Sequence, residues 1–181
     1  MIYYGTAYNP DKNIGVYYNK FMTILPNDID FACFLDGDAM FTTNTFGHAL
    51  LDYVEKYPEC GCFVCMTNRI GCEWQKLPGI DENDHDIRYH RQIGEKLQAD
   101  KYLSITDVSN VHRGKVLGGV LILLRKDVWE KIGGFKEQGI LGVDNDLHWK
   151  LMDANEKVYL MDGIFVYHFY RAGTGDKSHL I

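Results

Sequence analysis

Two aspartates separated by one glycine follow a short apolar segment early in the chain. Residues 31–35 form a continuous apolar run, which predicts a strand buried on both faces, and Asp36, Gly37 and Asp38 come directly after it. Residues two apart on a continuing strand face the same side, so the two carboxylates would repel each other without a cation nearby. Mg²⁺ and Mn²⁺ prefer oxygen ligands. The pattern predicts a divalent-metal site, with a surface turn as the alternative because Asp-Gly is a common turn pair.

A third acidic position lies after a glycine-rich stretch in the second half of the chain. The sequence reads Gly-Gly-Phe-Lys-Glu over 133–137 and Gly-Val-Asp-Asn-Asp-Leu over 142–147, and a helix is predicted over 144–152. An acid at the start of a helix lies in the positive end of the helix dipole. A bound anion nearby would raise the pKa of Asp144 toward that of a useful general base. The alternative is that Asp144 only caps the helix.

One histidine follows an apolar strand close to the end of the sequence. His168 comes directly after the apolar residues 164–167. Such a histidine is either a metal ligand through a ring nitrogen or a core residue whose ring is satisfied by hydrogen bonds.

Predicted strands and helices alternate along the chain and position these residues. Strands are predicted over 1–8, 31–35, 61–67, 116–124, 158–161 and 164–167. Helices are predicted over 14–25, 46–54, 84–97, 127–132 and 144–152, and residues 171–181 are predicted to form a flexible tail. This alternation is typical of a single α/β domain over 1–181, a three-layer α/β/α sandwich with a mostly parallel central sheet. Ligands of such sheets bind at the carboxyl ends of the strands.

The composition restricts the classes of partner. The chain has 181 residues, a formal net charge of −6 and no run of Lys or Arg, so we do not expect it to bind nucleic acid. No apolar stretch approaches the roughly 20 residues of a membrane-spanning helix. We expect that the protein has no leader segment and that its location is cytoplasmic.

Five cysteines raise the question of a structural metal. Four of them, Cys60, Cys62, Cys65 and Cys72, fall within 13 residues, and the fifth is Cys33. A zinc site would explain the cluster. The interpretation that we favour is a buried strand over 61–67, in which free cysteine is a small hydrophobic residue.

Taken in order, these motifs resemble those of a known enzyme family. A strand followed by Asp-x-Asp, then Gly-Gly-Phe-x-Glu, then Asp-x-Asp-Leu opening a helix, then a strand ending in His, is similar to the glycosyltransferases of the GT-A fold. The closest resemblance is to the inverting family-two enzymes, over residues 3 to 170. The chain looks like a shortened form, because a strand and a helix usual in the family before Asn13 are missing. The resemblance implies a nucleotide-diphospho-sugar transferase-like, Rossmann-like fold.

The resemblance also implies a role for each site residue. Asp38 would ligate Mn²⁺ or Mg²⁺ directly, Asp36 would lie near the ribose or reach the metal through water, and His168 would be the third ligand. Asp144 would be the general base, with Asp146 as the alternative because Val143 stands where the family often has Glu. The implied donor-binding positions are Thr6, Ala7, Tyr8, Asn9, Asn13, Gly15, Asp36, Gly37, Arg171 and Lys177. Those implied near the sugar and acceptor are Gly118, Gly119 and Asp146.

The function expected on these grounds is sugar transfer, with two alternatives. The donor would be a nucleotide-diphosphate sugar, with uridine favoured by the resemblance, and the acceptor a carbohydrate or other hydroxyl. A base opposite the leaving group would give inversion of the anomeric carbon. A nucleotidyltransferase is one alternative, although the chain has no strong glycine-rich phosphate loop with a basic residue near its first strand. A non-catalytic sugar-nucleotide-binding module of the same fold is the other.

Overall fold

The computed structural model describes residues 1–8, 10–111, 116–139 and 141–169. In these ranges seven strands form one sheet: β1 Ile2–Thr6, β2 Phe31–Leu35, β3 Ala39–Phe41, β4 Cys62–Thr67, β5 Ile105–Asp107, β6 Leu121–Arg125 and β7 Val158–His168. The helices are α1 Ile14–Thr23, α2 Phe46–Lys56, α3 Ile87–Lys101, α4 Lys126–Lys131 and α5 Val143–Asp153, with a short 3₁₀ turn at Glu73–Gln75.

The sheet is open and mixed. Its order is β1-β2-β6-β4-β7-β3, and β5 also pairs with β7. β1, β2, β4 and β7 run in one direction, as predicted for a parallel core, and the β1–β2 and β4–β7 pairs are parallel. β6 lies antiparallel between β2 and β4, and β3 and β5 are antiparallel to β7. Four of the seven strands therefore share one direction, as expected for a mostly parallel sheet. Four of the six strand pairs, however, are antiparallel.

Helices cover both faces of the sheet, which confirms the α/β class and is compatible with the predicted three-layer sandwich. The alternation of β2 sends Phe34 into a cluster with Tyr18 of α1, Val128 of α4 and Leu147 of α5. Cys33, the preceding residue, points to the other face, where α2 supplies Ala49, Leu50 and Tyr53. Each face thus has its own apolar core, and the sheet is buried between them.

Two strand predictions differ most from the structure. The strand predicted over 116–124 begins only at Leu121, because Gly118 and Gly119 are held in a loop by side chains of other segments. The two strands predicted over 158–161 and 164–167 are one strand, β7. Its pairing with β4 shifts between Cys65 and Met66. A methyl group on Gly163 would lie 2.6 Å from the Lys101 carbonyl oxygen, so glycine lets β7 pass close to α3 without a break.

The remaining predictions fall on the cysteines, the helices and the tail. All five cysteines are free and buried, and Cys62 and Cys65 lie on β4 as the strand prediction required. None of the helices in the described ranges combines the length and apolar character that crossing a bilayer requires. The predicted tail, 171–181, lies outside the described residues.

Candidate metal and substrate cleft

The ends of β2 and β7 bring Asp36, Asp38 and His168 together. The chain turns after β2, where the Ala39 N–H donates to the Asp36 carbonyl, and returns as β3. β3 then pairs Ala39 with His168, and the Phe169 N–H donates to the Asp38 carbonyl at 2.9 Å. As a result, Nε2 of His168 lies 3.3 Å from Oδ1 of Asp38 and 3.9 Å from Oδ2 of Asp36. Register thus assembles the three side chains that the sequence singled out.

The His168 ring is oriented as a metal ligand would be. Its Nδ1 lies 2.7 Å from the carbonyl oxygen of Arg69, which can only accept a hydrogen bond, so Nδ1 carries the ring proton. Nε2, the nitrogen that would ligate a metal, faces the two carboxylates. The three ligand atoms lie within 4.8 Å of one another, and no other group of three or more such side chains occurs among the residues that the structure describes. Two carboxylates and an imidazole fit Mn²⁺ or Mg²⁺.

The electrostatics of the cluster favour a cation. The pKa of Asp36 is raised to about 6, mainly by burial; a charge on His168 lowers it, and the nearby charges of Asp38 and Asp144 raise it. A carboxylate with a raised pKa is poorly compensated by its surroundings. A bound divalent cation would supply the missing positive charge.

Asp144 lies in the first turn of α5 and faces the same cleft. Gly142 precedes the helix with a φ of 76°, a left-handed conformation that suits glycine. The N–H groups of Gly119 and Asn145 donate to Oδ2 and Oδ1 of Asp144 at 3.2 and 2.9 Å. Burial nevertheless raises the pKa of Asp144, with these hydrogen bonds opposing the shift.

Asp146, the alternative base, has a different environment. Its carboxylate forms an ion pair with Lys150, one turn along α5, at 2.9 Å. Asp144, unlike Asp146, is among the described residues that line the cleft. The geometry therefore favours Asp144 of the two.

A cleft of about 1010 Å³ connects the acidic cluster with Asp144. One wall is residues 70–74, including Trp74, and residues 116–120, with Gly118 and Gly119, also line the cleft. A smaller pocket of about 160 Å³ adjoins it, shares Asp36 and Asp144 and extends to Tyr18 of α1. The cleft thus combines metal-type ligands with the half-buried carboxylate of Asp144.

Asn19 of α1 holds the Gly-Gly-Phe-Lys-Glu segment in place. The acid of this segment, Glu137, contacts Asn19 and is not among the described residues that line the cleft. Asn19 accepts from the N–H of Phe135 at 2.8 Å and donates to its carbonyl at 3.0 Å and to Oε1 of Glu137 at 2.8 Å. Asn13 donates to the Glu137 carbonyl at 2.7 Å. A methyl group on Gly15 would lie 1.9 Å from the Lys136 carbonyl oxygen. These contacts give Asn13 and Gly15 a packing role in the structure.

The remaining donor-binding positions are only partly described. Thr6 pairs with Leu35 at the end of β1, and a methyl group on Gly37 would lie 3.8 Å from the Thr6 side chain. Ala7 packs against the core, whereas Tyr8 is exposed. Asn9, Arg171 and Lys177 lie outside the described residues.

Two site residues were missed from the sequence, Asn68 and Gln75. Both are buried amides, and each forms hydrogen bonds with a residue of the cleft, Asn68 with His168 and Gln75 with Gly118. A signal for Asn68 existed, because it is a polar residue directly after a buried strand, as Asp36 is. Gln75 follows an irregular stretch that carries no periodic pattern.

The chain matches no protein-family model, and no curated protein matches it.

Proposed function

We propose that the protein is a metal-dependent glycosyltransferase of the GT-A type that uses a nucleotide-diphosphate sugar. The observation that carries the proposal is the cluster of Asp36, Asp38 and the oriented His168 in one cleft with Asp144. The seven-stranded α/β sheet is compatible with this fold, and the motif order resembles family-two enzymes.

The cluster would hold the metal and the donor diphosphate. Asp38 and His168 would be direct ligands, and Asp36 would complete the site directly or through water. When bound, Mn²⁺ or Mg²⁺ offsets the negative charge that grows on the departing nucleoside diphosphate. The local carboxylates without a cation would repel that diphosphate, so donor binding should require metal.

Asp144 would accept the proton of the acceptor hydroxyl as the oxygen attacks the anomeric carbon. A raised pKa suits this role, because a general base works best with a pKa near the operating pH. The N–H groups of Gly119 and Asn145 hold the carboxylate in position, so that little reorganisation is needed during transfer. Attack from the side opposite the leaving group would invert the anomeric carbon.

A screen of nucleotide sugars tests the proposal. UDP-sugars come first, then other nucleotide sugars, each incubated with Mn²⁺ and with chelator, and the release of nucleoside diphosphate is measured. We expect metal-dependent release from at least one donor, and its loss in Asp144→Asn when an acceptor sugar is present. Metal-dependent donor binding with no release in the wild type would instead indicate a non-catalytic binding module.

A further inference from the structure

Two buried carboxamides flank residues 69–74, of which residues 70–74 form the cleft wall. Asn68 precedes this wall and is 3% exposed, and Gln75 follows it and is fully buried. Buried amides are costly unless their donors and acceptors are paired. Each of these side chains pairs with both backbone polar groups of a single residue on another segment of the cleft.

Asn68 holds His168. Its Oδ1 accepts from the His168 N–H at 2.7 Å, and its Nδ2 donates to the His168 carbonyl at 3.1 Å. The backbone pairing of β4 with β7 ends at Thr67 and Val166, so the amide takes the place of the next peptide group in the ladder. The main chain after Asn68 leaves the ladder and continues into the cleft wall. The Arg69 carbonyl oxygen, at the start of this segment, accepts the hydrogen bond from Nδ1 of His168. Asn68 thus fixes the backbone of His168 and places the group that orients its ring.

Gln75 holds the cleft-lining segment that carries Gly118. Its Oε1 accepts from the Gly118 N–H at 2.6 Å, and its Nε2 donates to the carbonyls of Gly118 and Cys65 at 3.3 and 3.2 Å. The next residue, Gly119, donates its N–H to Oδ2 of Asp144. Gln75 therefore determines where the donor to Asp144 lies.

We propose that Asn68 and Gln75 are positioning residues that set the two halves of the cleft separately, Asn68 the metal-binding half through His168 and Gln75 the base half through Gly119. The roles of metal and base come from the proposed function, on which this inference rests. The two amides lie at the two ends of one segment. Asn68 is hydrogen-bonded to His168, whereas Gln75 is hydrogen-bonded to Gly118, next to the residue that donates to Asp144.

Substitution should separate metal affinity from turnover. Asn68→Ala is expected to raise the Kd for Mn²⁺, measured by calorimetry, by about 10- to 100-fold, the usual cost of losing a group that orients a metal ligand. Asn68→Leu, which keeps the approximate size of the side chain and loses both hydrogen bonds, should act in the same direction. Gln75→Ala should leave the Kd for Mn²⁺ near that of the wild type and lower kcat by about 10-fold or more, as expected when a catalytic group is displaced. Gln98→Ala, an amide on α3 away from the cleft, is the control and should change neither quantity.

NMR decides the inference without metal or activity. In the metal-free protein, loss of the hydrogen-bonded Nδ1–H signal of His168 is expected in Asn68→Ala and Asn68→Leu but not in Gln75→Ala. Faster hydrogen exchange at the Gly119 amide is expected in Gln75→Ala alone. Thermal unfolding curves give the temperature below which every variant is folded, and all measurements are made below that temperature.

The outcomes distinguish this inference from the proposed function. Wild-type His168 ring and Gly119 amide signals in the respective variants would overturn the positioning roles, as would parallel losses of metal affinity and kcat in both variants. If the signals change as expected but the wild type neither binds Mn²⁺ nor transfers sugar, the positioning roles stand and the proposed function fails.

Discussion

Replacing Asp144 by asparagine separates base catalysis from donor binding. The substitution keeps the shape of the side chain but removes its ability to accept a proton. One amide oxygen must replace two carboxylate oxygens that accept from Gly119 and Asn145. We expect transfer to fall about 100-fold or more, which corresponds to about 2.7 kcal/mol of transition-state stabilisation, while donor affinity stays near that of the wild type.

Asp146→Asn is the matched control on the same helix. It breaks the ion pair with Lys150, which spans one helical turn at 2.9 Å. Such pairs stabilise a helix by about 0.3 to 0.5 kcal/mol, so this variant should fold and transfer sugar within about twofold of the wild-type rate.

The assay is transfer at saturating donor and acceptor, with donor affinity measured separately. Far-UV circular dichroism and thermal unfolding check that both variants are folded, because an unpaired backbone N–H beside residue 144 costs about 1 to 3 kcal/mol. Wild-type transfer by Asp144→Asn together with an inactive Asp146→Asn would show that Asp146 is the base. Activity in both variants would refute base catalysis by this helix.

Three further predictions concern pH, metal-free stability and packing. Because the pKa of Asp144 is raised, transfer should fall with decreasing pH from a point above the ordinary range of aspartate, and a rate profile with an ordinary aspartate limb would contradict this. The pKa of Asp36 is raised from 3.8 to about 6 in the fold, so the free energy of unfolding decreases as pH rises through this window. Asp36→Asn should therefore stabilise the metal-free protein at neutral pH by roughly 1 to 2 kcal/mol, a value reduced for solvent screening; a lower Tm would refute it. Gly15→Ala should destabilise the fold by about 1 to 3 kcal/mol through overpacking against Lys136, as seen by denaturant unfolding, and an unchanged midpoint would argue against this contact.

The acidic cluster was predictable from the sequence because its positions follow from strand pattern. The apolar run 31–35 became β2 with the predicted bounds, and Asp36 and Asp38 lie at its carboxyl end. His168 is the last residue of β7 and follows its apolar residues 164–167. What the pattern could not supply was the β3–β7 register that joins them, since β3 is only three residues long.

The positioning contacts were not predictable for a related reason. Asn68 binds a residue 100 positions away, and Gln75 one 43 positions away. Such pairs leave no local periodicity. The Gln75 contact also explains why the strand predicted from residue 116 begins at residue 121. The Gln75 side chain forms hydrogen bonds with the N–H and the carbonyl of Gly118.

Calorimetric titration of UDP into the protein tests the central claim, that the cluster binds a metal that holds a nucleoside diphosphate. We predict binding in the presence of Mn²⁺, no measurable binding after chelation, and weakening on the order of 10-fold or more in both Asp38→Ala and His168→Ala, with Gln98→Ala unchanged. Equal UDP affinity with Mn²⁺ and after exhaustive chelation would contradict the account.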